Sequence, residues 1–330
     1  MTRTKLLIAA LMGTVLALPA SAAEIKAVAS FSILGDIVSH VGGDRVEVTT
    51  IVGPNADTHV YEPKPADAQA LSQSQVFFVN GLGFEGWLDR LVEATGFTGP
   101  VVVASTGVAT HTMADDAHGH GEAEGEDHAH DATAPAEAGH DDHAHAEESG
   151  EITDPHAWQS LKNGLIYVQN ITDGLCTADP DGCATYQANA KAYSAEISAL
   201  DAQVVAAVDS VPQAQRKVIT THDAFGYFGE AYGVQFLAPE GISTDSEASA
   251  ADVGKLIEQI RADGVKALFI ENMSDGRLVE QIARETGVTI GGELYADALS
   301  EPSEGASTYL DMFRHNVDLL VPAMAGTPAQ

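Results

Sequence analysis

From Ala184 to about Val211 the chain runs without a glycine or a proline. The stretch is rich in Ala, and Tyr193, Ile197, Leu200, Val204 and Val208 recur at spacings of three and four, which places them on one helical face. At 1.5 Å per residue, about 28 residues would span some 40 Å. Such a helix is expected to form a rigid spine between two lobes. The alternative is an ordinary helix broken in two.

The segments on either side alternate strand and helix. In the first half, Ile25 to Phe31, Val46 to Val52, Val76 to Val79 and Val101 to Val103 read as strands. Ser32 to Val41, Pro65 to Ser72 and Phe84 to Ala94 read as helices; Gly42-Gly43 stops the first and Pro65 opens the second. In the second half, Lys217 to Thr220, Val234 to Ala238, Ala267 to Ile270 and Val288 to Gly291 read as strands. The helices there are Ala224 to Tyr232, Ser249 to Ala262, Gly276 to Thr286 and Ser307 to Leu320. Strands alternating with helices predict an α/β fold with mainly parallel sheets in both halves. The halves share this pattern without a tandem sequence repeat. The length of 330 residues agrees with about two domains.

Charge excludes some functions. With 16 basic and 48 acidic side chains the net charge is 16 − 48 = −32. Nucleic-acid binding needs clustered Lys and Arg, and so does a polybasic membrane contact. At the start of the chain, Arg3 and Lys5 precede the apolar run Leu6 to Leu18 and the small residues Pro19 to Ala23. This is the pattern of a secretory signal peptide over residues 1–23. The run is shorter than the roughly 20 residues of a membrane span, which argues against an uncleaved anchor. Without a Cys near the cut, the usual lipid-attachment site is missing. A soluble periplasmic or extracellular protein is expected, with net charge −32 − 2 = −34 after loss of Arg3 and Lys5. In an oxidising compartment Cys176 and Cys183 are expected to form a disulfide. A thiolate metal site is the alternative, but two lone cysteines at this separation match no zinc-thiolate spacing.

Ala114 to about Glu151 differs in kind. It has 13 acids, no Lys or Arg, and almost no apolar side chain besides Ala. It holds His118, His120, His128, His130, His140, His143 and His145, seven of the 13 histidines. Such a segment cannot offset the entropy of ordering and is expected to be a disordered loop that leaves and re-enters its lobe at adjacent points. Histidine at this density points to accessory capture of metal, against the plainer reading of a solvated spacer.

The remaining histidines are His40, His59, His111, His156, His222 and His315. His40, at a helix end, reads as structural, and His315 as a surface residue of the last helix. His111, at the edge of the loop, stays undecided. The other three lie where a strand or loop meets a helix. His59 sits in Asp57-Thr58-His59-Val60-Tyr61-Glu62-Pro63, His156 in Asp154-Pro155-His156-Ala157-Trp158, and His222 in Thr221-His222-Asp223-Ala224-Phe225. Asp297, in Leu294-Tyr295-Ala296-Asp297-Ala298-Leu299, is placed likewise. Open α/β sheets bind ligands beyond the carboxyl ends of their strands. One such residue alone would be an ordinary hydrogen-bonded loop residue. Four of ligand type in two halves suggest a metal site.

These four motifs resemble the metal-binding proteins of bacterial zinc and manganese ABC importers, the cluster A-I solute-binding family, over nearly the whole chain after residue 23. The resemblance implies two α/β lobes joined by one long helix, with metal in the cleft. Residues 24–183 would form the N-terminal lobe, including the 114–151 loop, 184–211 the linking helix, and 212–330 the C-terminal lobe. His59 and His156 would be N-lobe ligands, His222 and Asp297 C-lobe ligands. A His-rich acidic insert is typical of the zinc-specific members. The family pattern places a carboxylate at the position of His222 in manganese members. Three imidazoles and a carboxylate suit Zn²⁺, whereas Mn²⁺ prefers oxygen. The cysteine positions bring the chain nearer to AztC-type zinc proteins than to the ZnuA type.

The expected function is therefore zinc capture and delivery to an ABC permease, by a monomer, without catalysis. A periplasmic zinc chaperone as donor is left open. Two alternatives are a manganese-binding importer protein and an extracellular zinc buffer or adhesin built around the loop. A zinc hydrolase would need an open water position and a general base. Glu62 and Glu271 are the candidates for that base, and four protein ligands would close the site. Glu247 and Glu271 are further candidates for ordering the site.

Overall fold

The computed structural model describes residues 25–114, 151–245 and 248–326. The expected signal segment 1–23, the seven loop histidines and Glu247 lie outside the described residues.

The first half builds a four-stranded parallel sheet from β1 (Ile25–Phe31), β2 (Val46–Val52), β3 (Val76–Val79) and β4 (Val101–Val103), in the order β2-β1-β3-β4. Helices α1 (Ser32–Gly42), α2 (Pro65–Ser72) and α3 (Leu88–Thr95) connect these strands. β1 is buried on both faces apart from Lys26, as expected for a central parallel strand covered by helices. The helix α3 starts four residues later than the sequence pattern suggests. Gly81, Leu82 and Gly83 all adopt positive φ, and this turn tucks Phe84 and Trp87 into the core before the helix begins.

A short antiparallel hairpin follows, β5 (Thr112–Ala114) with β6 (Glu151–Thr153), in which Ala114 pairs with Glu151. Ala114 and Glu151, the described residues that flank 115–150, thus stand side by side. Next comes α4 (Leu161–Ala178), which the periodicity reading did not delimit, and α5 (Cys183–Asp209). α5 is one continuous helix of 27 residues that buries Tyr186, Ala190, Tyr193, Ile197, Leu200, Val204 and Val208 along one side. Cys176 and Cys183 are disulfide-bonded, joining the last turns of α4 to the first residue of α5.

The second half repeats the topology. β7 (Lys217–Ile219), β8 (Gln235–Leu237), β9 (Ala267–Glu271) and β10 (Thr289–Leu294) form a parallel sheet in the order β10-β9-β7-β8. Counted within each half, both sheets run second-first-third-fourth. Their helices are α6 (Gly226–Tyr232), α7 (Ala250–Asp263), α8 (Arg277–Thr286) and α9 (Tyr309–Met324). α8 ends at Gly287, which takes the left-handed conformation that a helix stop asks for (φ 74°). α9 reaches back across the molecule: the Tyr309 N–H donates to Asp36 of α1 (2.9 Å), and its hydroxyl donates to the Trp158 carbonyl (2.6 Å). Among the described residues no helix is long and apolar enough to cross a membrane.

Candidate metal centre

Four loops converge between the two sheets. The β2–α2 loop carries His59, whose backbone N–H donates to Asp57 Oδ1 (2.9 Å) in a turn that a Pro-flanked segment readily forms. Trp87 pins the same loop through the Thr58 carbonyl (3.1 Å). The turn after β6 carries His156, and Asp154 organises it: Oδ1 accepts both the His156 backbone N–H (2.9 Å) and the ring Nδ1–H (2.7 Å). His222 follows β7. Glu271, at the end of neighbouring β9, accepts its backbone N–H (3.1 Å), that of Thr221 (2.9 Å) and the His222 Nδ1–H. Asp297 lies after β10 on a loop held from the other lobe, where Trp158 Nε1 (2.9 Å) and Gln159 Nε2 (2.7 Å) donate to the Ala296 carbonyl.

One donor atom from each of His59, His156, His222 and Asp297 lies within 4.8 Å of the other three. Asp297 Oδ2 stands 3.3 Å from His59 Nε2 and 3.2 Å from His222 Nε2, and Oδ1 stands 3.6 Å from His156 Nε2. The Nε2 atoms of His59 and His156 are 3.3 Å apart. Donors about 2.0–2.1 Å from a shared tetrahedral ion would be separated by roughly 3.3 Å. The His59 side chain is 6% exposed and the other three are fully buried. Phe84 walls the cluster, with its ring 4.9 Å from that of His59 and 6.0 Å from that of His156.

The electrostatics are those of a cation site. Both carboxylate oxygens of Asp297 are buried and have no hydrogen-bond donor among the described residues, and the same holds for His222 Nε2. Burial penalises charge on His156, but Asp297 and Asp154 beside it prevail and push its pKa up to about 9. Burial likewise opposes charge on His222, and Glu271 and Asp297 hold it well above the ordinary histidine value. Asp297 is held well below the usual carboxylate range, because His222 and His156 outweigh its desolvation. Protons and a metal ion compete for these imidazoles, since imidazole ligands bind deprotonated.

The other sequence candidates are not among the four converging residues. His40 bonds Asp36 on α1 and stacks on Tyr193; His315 bonds the Glu293 carbonyl from α9. Glu62 is exposed, and Glu271, buried, is committed to His222. His111 faces Asp154 at 3.4 Å. The positioning roles of Asp154 and Asp57 were not singled out from sequence. The available signal was an Asp two residues before a candidate His, the spacing of an Asx turn.

The model of the periplasmic zinc-uptake complex component A family, ZnuA, matches residues 27–323. Among curated proteins, the manganese-binding lipoprotein MntA of Halalkalibacterium halodurans is 35% identical over 301 residues, covering 91% of this chain and 89% of the relative. Among solved structures, the periplasmic zinc-binding protein TroA of Treponema pallidum aligns with a TM-score of 0.77 at 27% identity, over 92% of this chain and 99% of that one. A Mn-bound periplasmic metal-binding protein from Candidatus Liberibacter asiaticus aligns with a TM-score of 0.74 at 27% identity, over 91% of this chain and 99% of that one.

Proposed function

The chain belongs to the ZnuA family of metal ABC transporter substrate-binding proteins, which are not enzymes, and from that premise we propose that its cargo is Zn²⁺, held by His59, His156, His222 and Asp297 and delivered to an ABC permease. The observation that carries this reading is Asp297. A buried carboxylate without a hydrogen-bond donor is costly unless a cation compensates it. Three imidazole nitrogens face it at 3.2–3.6 Å. A nitrogen-rich set of four suits Zn²⁺ over Mn²⁺, which favours more oxygen donors. Manganese is the second reading, because the curated relative MntA is named manganese-binding and a structural neighbour was solved with Mn.

The accessory role belongs to His118, His120, His128, His130, His140, His143 and His145, which would raise local zinc supply. The proposal places the mature chain in the periplasm as a monomer, with residues 24–183 and 212–330 as lobes and 184–211 as the link. A zinc chaperone is a candidate donor.

Native mass spectrometry of the full chain tests the cargo. The protein is offered one equivalent of Zn²⁺ in excess Mn²⁺, beside a His222→Ala version. One zinc retained through washing, and lost or weakened in the variant, is expected. Retained manganese would overturn the choice of cargo. Retention unaffected by His222→Ala would move the binding away from the four residues. Zinc affinity is also expected to fall with falling pH as the imidazoles are protonated.

A further inference from the structure

His111 lies directly before β5, at the base of the hairpin, and is not one of the four converging residues. Its Nε2 is buried and has no hydrogen-bond partner among the described residues, and the same is true of Asp154 Oδ2. These two atoms face each other at 3.4 Å; the Asp154 side chain is fully buried and that of His111 is 28% exposed. The other oxygen of Asp154 is the one that holds His156.

Three features build this arrangement. The His111 carbonyl accepts the Asp154 N–H (3.2 Å), so the hairpin closes on this pair. The His111 ring lies 4.1 Å from that of Tyr227, whose hydroxyl donates to the Asp154 carbonyl (3.0 Å). Gly226, the first residue of α6, leaves room for both side chains. A Cβ there would come within 2.6 Å of Asp154 Oδ2 and 2.8 Å of His111 Cε1.

We propose that His111 is a positioning residue of the metal centre, which steadies Asp154 from behind and through it fixes the ring of His156. The inference rests on His156 being a ligand. A carboxylate on the far nitrogen of a ligand imidazole sets its tautomer and orientation. Asp154 can do so only while Oδ1 stays on the ring. A rotation of the carboxylate would break that bond, and a buried oxygen without a partner favours such rotation. An N–H at His111 Nε2, 3.4 Å from Oδ2, would remove that freedom.

Chelator competition for Zn²⁺ on the full chain tests this. His111→Phe keeps a ring on Tyr227 but no nitrogen, and His111→Asn is too short to reach Asp154. His111→Gln restores an Nε2–H. The expected result is a loss of about tenfold in affinity for the Phe and Asn variants, the low end for outer-shell partners, with most of it recovered by Gln. In an Asp154→Asn background, His111→Phe should cost nothing more, because the two act as one unit. An equal further loss in that background would overturn the proposal. So would wild-type affinity in His111→Phe while His156→Ala abolishes tight binding. Tight binding retained by His156→Ala would instead sink the ligand reading and the inference with it. The visible spectrum of the Co²⁺-loaded chain gives a second readout. The bands are expected to change in His111→Phe while the melting temperature of the metal-free chain holds; unchanged bands would count against the role.

Discussion

Glu271 grips His222 with both of its carboxylate oxygens: Oε2 takes the ring Nδ1–H, and Oε1 takes the backbone N–H groups of Thr221 (2.9 Å) and His222 (3.1 Å). One side chain thus fixes the position and the tautomer of a candidate ligand. Glu271→Gln preserves the shape but turns one acceptor into a donor, so one of these contacts becomes repulsive. Zinc affinity is expected to fall about 10- to 100-fold, and the metal-free chain to lose about 1–3 kcal/mol. Isothermal titration and urea unfolding read the two effects. Unchanged affinity would mean that His222 needs no orienting partner.

Gly164 of α4 packs beneath Tyr309, and an added Cβ would stand 2.7 Å from the tyrosine oxygen and 3.0 Å from Cε1. Ala for Gly inside a helix ordinarily gains up to about 1 kcal/mol. Here the overpacking cost of about 1–3 kcal/mol prevails, because the displaced hydroxyl also gives up the Trp158 carbonyl. A lower urea midpoint for Gly164→Ala is expected, partly recovered in a double variant with Tyr309→Phe. A raised midpoint would show that the tyrosine can yield without cost.

The Cys176–Cys183 bond closes a loop of sequence separation 7. In the chain-entropy model so short a loop contributes about 2.4 kcal/mol. The Cys176→Ser/Cys183→Ser variant should unfold at correspondingly lower urea with its zinc affinity intact. A change in affinity would reveal a coupling from the α4–α5 junction to the centre.

His40 supplies a pH signature unrelated to metal. Its hydrogen bond to Asp36, set against partial burial, raises its pKa from 6.5 to about 9. The folded value lies above the unfolded one. The stabilisation is therefore fully present below pH 6.5 and is lost as pH rises through about 9. The effect is small, since 40% of the side chain is exposed. With metal removed, the melting-temperature advantage of wild type over His40→Gln should be largest on the acid side and vanish in alkali. An advantage that grows with pH would contradict it.

The sequence made the alternation of elements, the continuous helix and the four converging residues legible, because each depends on local chemistry. Tyr193, Ile197 and Leu200 share a face whatever they pack against, and all three are buried. His156 and His222 announce themselves by their motifs. The partners of Asp154, Glu271 and His111 are a different matter, even though Glu271 is a candidate from sequence for ordering the site. Glu271 reaches His222 across 49 positions, through the pairing of β7 with β9, which periodicity cannot supply. The late start of α3 escaped for a related reason: positive φ at Leu82 is set by the tertiary packing of Phe84 and Trp87, against the local preference of leucine.

One contiguous apolar cluster takes in Val28 and Phe77 of the first sheet together with Phe269, Leu294, Phe228 and Phe313 of the second half. A smaller cluster, Ile219, Leu256, Ile257, Ile260, Val265, Leu268, Val279 and Ile282, sits beneath α7 and α8. Two bodies that hinge freely need separate cores, and here a clamshell opening would strip shared apolar surface. On the proposed function, loading and unloading would then fall to the loops around the centre. The cooperative units divide the same way. Backbone amides of α7 and α8, resting on the smaller cluster, should exchange with deuterium well before those of β1, β3 and α5, so the part of the fold that breathes is the outer edge of the second half.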